Sequence, residues 1–365
     1  MIDYSGREEL EQVNHRFPSD TGMDTVEGAQ RSQPIIVPAG TDVVELNFAN
    51  GRAYAVDVDE DDLRRLAEEA APLGLSEPVS GHYERKPNVA SGSSKLLGLS
   101  GAVENRTRFS IANGFSVAND QLAKIGHFWP GGTGNLFGRR LVITAAHALC
   151  YNGSCSNPTF VPRHDMTPSG PNGHDHPYGV GHYLTAWVGG YFLANDCHVT
   201  YNNSLCSKED WAVVLLPDPP FTEGSGNPGF FGFDWTASEA TLTSLTVHHA
   251  GYPECNSDHD PSNCEKGYAY GQIGGGTIGR FKNADGSGGF KTLFATSHDV
   301  SNGHSGGAIL EQRTNGFYYI HGVMIYEDCG TCSGATAAVK AHPNWAKRMD
   351  EWLFNYMQSL RTMYP

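Results

Sequence analysis

Short apolar runs separated by turns rich in glycine, asparagine, aspartate and proline dominate the chain from residue 103 onward. Phe109-Ser110-Ile111, Tyr183 to Val188, Leu242 to Val247, Phe294 to Thr296 and Phe317 to Met324 each suit a single short strand. Strands at such regular spacing predict a barrel or a sandwich. The first 95 residues are patterned differently. Pro34 to Val37 and Val43 to Phe48 predict short strands, Asn50-Gly51 a hairpin turn and Ala53 to Val56 a returning strand. Asp59 to Ala71 predicts a helix: Asp59 caps it, acids fill its first turn, and Leu63, Leu66, Ala67 and Ala70 share a face. Ser76 to Ser94 carries Gly, Ser and Pro and reads as a linker containing Arg85 and Lys86. Trp345 to Leu360 predicts a closing helix, with Trp352, Leu353, Tyr356 and Met357 on one face.

Composition agrees with an all-β chain of 365 residues: 44 are glycine and only 18% are charged. The net charge of −15 argues against nucleic acid or an anionic membrane as main partner, and no apolar run is long enough to cross a bilayer. Met1 to Arg7 lacks the apolar core of a signal peptide. Residues 1–95 hold 18 acidic and 9 basic side chains and no cysteine. The eight cysteines form four close pairs along the chain, 150–155, 197–206, 255–264 and 329–332. An even count favours disulfides where the protein is secreted, with these local pairings expected. Cys329-Gly330-Thr331-Cys332 could also be redox-active or bind metal, but no second such motif completes a zinc site. Sequons occur at Asn105, Asn152 and Asn202.

Three strings carry chemistry. Leu141-Val142-Ile143-Thr144-Ala145-Ala146-His147 is an apolar strand ending in a histidine. Glu209-Asp210-Trp211-Ala212-Val213-Val214 opens another buried strand with an aspartate. Asn302-Gly303-His304-Ser305-Gly306-Gly307 sets a serine among glycines. A histidine base, an aspartate that orients it and a serine nucleophile are the parts needed for acyl transfer. The backbone N–H groups of Gly303 and Ser305 are candidates for an oxyanion hole. No cofactor or metal is expected. The His/Asp-rich insert Tyr151 to Gly181, with His164, Asp165, His174, Asp175 and His176, and nearby His182, matches no closed metal motif, nor does Asp258-His259-Asp260.

These strings resemble the histidine, aspartate and serine motifs of the chymotrypsin-like serine peptidases, over roughly residues 100 to 360. Gly251-Tyr252-Pro253 and Val103-Glu104-Asn105-Arg106-Thr107-Arg108 resemble the secreted glutamyl endopeptidase-like branch. The resemblance implies two six-stranded antiparallel β-barrels and a C-terminal helix, preceded here by a small α+β pro-segment. The expected division is 1–95 for an acidic propeptide or accessory segment, 96–225 for the barrel with His147 and Asp210, and 226–365 for the barrel with Ser305. It implies a secreted serine endopeptidase made as a zymogen, acting on proteins or peptides, with cleavage after Lys95 or within 95–103. The propeptide would be an intramolecular inhibitor or folding aid, the alternative being a permanent accessory domain. His304 stands where trypsin-type zymogens carry an aspartate, so the salt-bridge activation switch of that type is not expected. Asp299, Ser301, Asn302, Met324 and Tyr326 would line the specificity pocket. Asp299, six residues before Ser305, suggests a preference for Arg or Lys. Met324 takes the place of the histidine used by glutamyl enzymes, leaving glutamyl-specific or broad specificity as alternatives. A non-catalytic binding module on the same fold is the reading of a different class. An esterase or acyltransferase is less favoured, since the strand-to-helix nucleophile elbow of the α/β-hydrolases is absent.

Overall fold

The computed structural model describes residues 8–10, 35–70, 74, 77–82, 107–109, 121–129, 131–151, 154–156, 159–164, 177–195, 197, 204–223, 226–255, 264–283, 289–327 and 344–365. Two large sheets, antiparallel except where Gly232–Phe233 runs parallel to Tyr318–Glu327, form the two-barrel architecture, with a helix, Glu351–Met363, at the C-terminus. Among the described residues the first sheet has eleven strands rather than six. Its body runs Thr185–Gly189, Ala212–Leu215, Leu141–Thr144, Thr133–Leu136, Ile125–Trp129, Thr159–Pro162, Gly179–His182 and Thr222–Glu223. Three of the eleven are the N-terminal hairpin, Val43–Asn47 and Arg52–Val56, which joins at Thr185–Gly189, and Glu8–Glu9 beyond it; the eight strands of the body still exceed six. The second sheet has nine strands, among them Val247–Gly251, Leu293–Thr296, Ala308–Gln312, Tyr318–Glu327 and Asn344–Arg348. Thr107–Phe109, inside the segment expected for the first barrel, pairs with Ala269–Gly271 in the second sheet.

The N-terminal elements form largely where the pattern places them. Asn47 Oδ1 accepts from the Asn50 N–H and Asn50 Oδ1 from the Arg52 N–H, and Gly51 takes φ +68°, closing the hairpin. Asp59 Oδ1 accepts from the N–H groups of Asp61 and Asp62 and so caps the helix Glu60–Ala70. Leu63 and Leu66 on its buried face share a core with Met349, Leu353, Met357 and Leu360 from the C-terminal segment. Val43, Val44 and Leu46 are completely buried, each worth roughly 1.5–3 kcal/mol on the usual scale for such side chains.

Four elements differ from expectation. Residues 35–37 are not in a strand. Glu239–Ser244 is a helix, because Ser238 Oγ accepts from the Thr241 N–H and caps it; the strand begins only at Val247. Asn344–Arg348 is a buried strand between Leu293–Thr296 and Tyr318–Glu327, and the helix starts after Asp350, whose side chain accepts from the Leu353 N–H. Val79–His82, in the expected linker, pairs with Asn227–Phe230.

Three disulfides, Cys150–Cys155, Cys197–Cys206 and Cys255–Cys264, match the expected local pairing. Cys329, Cys332, the asparagines of the three sequons, residues 165–176, 258–260 and the expected cleavage region 95–103 lie outside the described residues.

Candidate functional site

The buried strand Leu141–Thr144 delivers His147 on a single 3-10 turn, Ala146–Ala148, and Cys150–Cys155 staples the chain just beyond. Asp210 sits two residues before the strand Ala212–Leu215, which pairs with Leu141–Thr144. This pairing brings the two side chains together across 63 residues. Asp210 Oδ2 lies 2.7 Å from His147 Nδ1, and Oδ1 accepts from the His147 backbone N–H at 3.0 Å. The carboxylate is completely buried, while the histidine side chain keeps 17% of its surface exposed. A buried acceptor on Nδ1 holds the proton there and leaves Nε2 as the basic nitrogen. One carboxylate oxygen fixes the ring and the other fixes the backbone that carries it.

Ser305 is partly exposed in a loop where Ser301, Gly303, His304, Gly306 and Gly307 are buried and Asn302 is exposed. His147 and Ser305 line the same pocket, of about 280 Å³, with Val300, Ser301, Asn302, His304, Met324, Ile325 and Tyr326. Gly303 has φ +92°, and a Cβ there would lie 2.3 Å from the Tyr252 carbonyl oxygen and 2.8 Å from the Glu254 nitrogen. The close approach is fixed by the Glu254 N–H, which donates to the Asn302 carbonyl at 2.8 Å. No backbone carbonyl among the described residues takes the N–H of Gly303 or of Ser305. Two such donors beside a hydroxyl suit the stabilisation of developing negative charge on a carbonyl oxygen.

The loop is held by residues that the motifs did not identify. Thr133, on the first barrel, donates through Oγ1 to the Gly303 carbonyl at 2.8 Å, accepts from the Tyr252 N–H at 2.9 Å, and donates its own N–H to the Ser305 carbonyl at 2.8 Å. Asn135, two residues on, donates to the Gly306 carbonyl at 2.6 Å and accepts from the Ala308 N–H at 3.1 Å. Both are fully buried. Polar side chains in the run Thr133-Gly134-Asn135-Leu136 were the available signal: a strand buried on both sides holds such groups only when they are hydrogen-bonded.

His304 is completely buried beneath the loop, with Nδ1 3.1 Å from His249 Nε2. His249 Nδ1 faces the Ala308 carbonyl at 3.1 Å, so it carries the proton there and its Nε2 accepts from His304. His298 packs against His249 and lies between Thr296 Oγ1 and the Val247 carbonyl. Burial, reinforced by His249, pushes His298 down to about 3, so it is neutral at neutral pH. His304 thus anchors the serine loop through a histidine pair rather than an ion pair.

The structure gathers Ser301, Asn302, Met324 and Tyr326 around the pocket and leaves Asp299 outside its lining, half-buried. A cation also stands beside the lining. The Lys282 ammonium donates to the Tyr326 hydroxyl and lies 3.9 Å from the centre of the Trp345 ring. A larger cavity of about 870 Å³ lies between the N-terminal segment and the C-terminal helix. It reaches Glu209 and Trp211 but contains neither His147 nor Ser305, so the smaller pocket is the chemical one. His164, from the His/Asp-rich insert, stacks on His127 with their Nδ1 atoms 3.1 Å apart. Among the described residues no group of three or more His, Cys, Asp or Glu side chains is placed to hold a metal ion, and no helix is long and apolar enough to cross a membrane.

No family model matches the sequence, and no curated protein is similar to it in sequence. In three dimensions the chain is similar to a solved structure of a Glu endopeptidase in complex with MPD, at 17% identity and a TM-score of 0.46, covering 71% of this chain and 97% of that one.

Proposed function

We propose that the protein is a serine endopeptidase working through an acyl-enzyme. The observation that carries this reading is the fully buried Asp210 held on both the ring and the backbone of His147, with that histidine and Ser305 in one pocket. Ser305 Oγ would attack the peptide carbonyl carbon while His147 Nε2 takes its proton. The oxyanion would form against the N–H groups of Gly303 and Ser305. The amine would leave with the proton from His147, and water would then hydrolyse the ester by the same route in reverse. Disulfides and the absence of a membrane-spanning helix among the described residues are compatible with a secreted enzyme.

Two details shape the reading further. With the serine loop anchored by His304 and His249, its conformation does not depend on a new N-terminal ammonium, so activation would not follow the trypsin route. Asp299 outside the pocket and Lys282 on Tyr326 favour neutral or acidic residues over Arg and Lys before the scissile bond. A panel of fluorogenic peptides varied at that position tests both the activity and the preference. Hydrolysis of neutral or acidic members is expected, unchanged in rank order by Asp299→Ser. No turnover of any member would sink the peptidase reading. Turnover confined to Arg and Lys, and lost in Asp299→Ser, would return the pocket to its expected aspartate.

A further inference from the structure

We propose that the N-terminal segment that carries residues 35–70 and 77–82 is a permanent clamp, which stays bound after a cut in the following linker and makes the processed protein a two-chain molecule. The inference rests on the packing of this segment and not on the peptidase reading.

The segment is docked at three places. Its strand Val43–Asn47 runs antiparallel to Thr185–Gly189, in unbroken register from Val43 opposite Gly189 to Asn47 opposite Thr185. This is strand addition to a sheet edge, in which backbone hydrogen bonds give affinity and alternate side chains fill the core. Glu45, buried to 3% exposure, accepts from the indole nitrogen of fully buried Trp187 at 3.2 Å. The Gly190 N–H donates to the Asp42 carbonyl, and a Cβ at Gly190 would lie 2.1 Å from the Thr41 carbonyl oxygen. The body of the protein is therefore shaped around this backbone. Second, the helix Glu60–Ala70 buries Leu63 and Leu66 against the C-terminal helix. Third, Glu77 accepts from the Tyr319 hydroxyl at 2.5 Å, and its carbonyl accepts from the Arg361 guanidinium at 2.5 Å. Arg361 is 6% exposed, and Glu77 is the carboxylate that offsets its burial.

These contacts touch the first sheet, the C-terminal helix and the second sheet, and their apolar part is continuous with the core. Interfaces of that kind are those of obligate partners. Release would turn Thr185–Gly189 into an exposed apolar edge, the kind of strand that drives aggregation. Release is also not needed to open the site: none of the described residues of this segment lines the pocket at Ser305.

The test uses the full chain with a site-specific protease sequence inserted after Gly92. After cutting, size-exclusion chromatography and native mass spectrometry should find both pieces together in equal amounts, separating only in denaturant. An N-terminal piece that elutes apart from a soluble, folded C-terminal piece in native buffer would overturn the proposal. Peptide turnover is read in the same fractions. Co-elution without turnover would leave the clamp standing and count against the peptidase reading alone.

Discussion

Ser305→Ala is expected to lower kcat for the best peptide by about 10⁶-fold, His147→Ala by a similar factor, and the double variant no further. The reason is that the two groups form one unit. Without the hydroxyl there is nothing for the imidazole to deprotonate, and without the imidazole the hydroxyl stays a poor nucleophile. Asp210→Asn should cost less, about 10⁴-fold, because the ring is kept but its tautomer is lost. The amide would place a donor opposite either the His147 N–H or its Nδ1–H, since both carboxylate oxygens are used. Steady-state kinetics of the four variants, with circular dichroism to establish folding, checks this. Losses of Ser305 and His147 that multiply in the double variant would mean that the two side chains act independently.

Gly303→Ala is expected to lower kcat by about 10²–10³-fold, the usual effect of losing one oxyanion donor, with KM nearly unchanged. At φ +92° an alanine is strained by roughly 1–2 kcal/mol. Its Cβ also meets Tyr252 and Glu254 backbone atoms, which have no rotamer to move to. The loop must shift, and the N–H at 303 shifts with it. The pocket side chains Met324 and Tyr326 come from a different strand, so binding of the substrate side chain should survive. Separate kcat and KM values for one peptide, with a thermal melt as control, test the assignment. A rise in KM at constant kcat would place Gly303 in substrate binding instead.

How far the chain could be read in advance depended on the range of each interaction. The hairpin at Asn50-Gly51 and the helix capped by Asp59 are set by neighbours a few residues apart, and both form. The same local pattern misled at Leu242 and at Trp345. In the first case a serine cap outweighed the apolar alternation. In the second, Lys347 and Arg348 hid a buried strand, since their charges are met by Asp350 and by the Lys291 and Thr236 carbonyls. The candidate triad residues were legible because each ends or opens a strong strand or stands in a glycine-rich loop. Thr133, Asn135 and His249 were not, because their partners in the serine loop lie 55 to 173 residues away. The pairing of Val43–Asn47 with Thr185–Gly189 is equally remote, which is why the N-terminal segment read as a detachable piece.

The most direct test of the central claim is covalent. The protein is treated with a fluorophosphonate, which reacts with a serine only where an adjacent base and oxyanion donors activate it. The adduct is then mapped by tandem mass spectrometry. A single phosphonyl group on Ser305, absent in Ser305→Ala and strongly slowed in His147→Ala, is the predicted result. An unlabelled Ser305 in protein that still hydrolyses peptides, or a label on another serine, would contradict it.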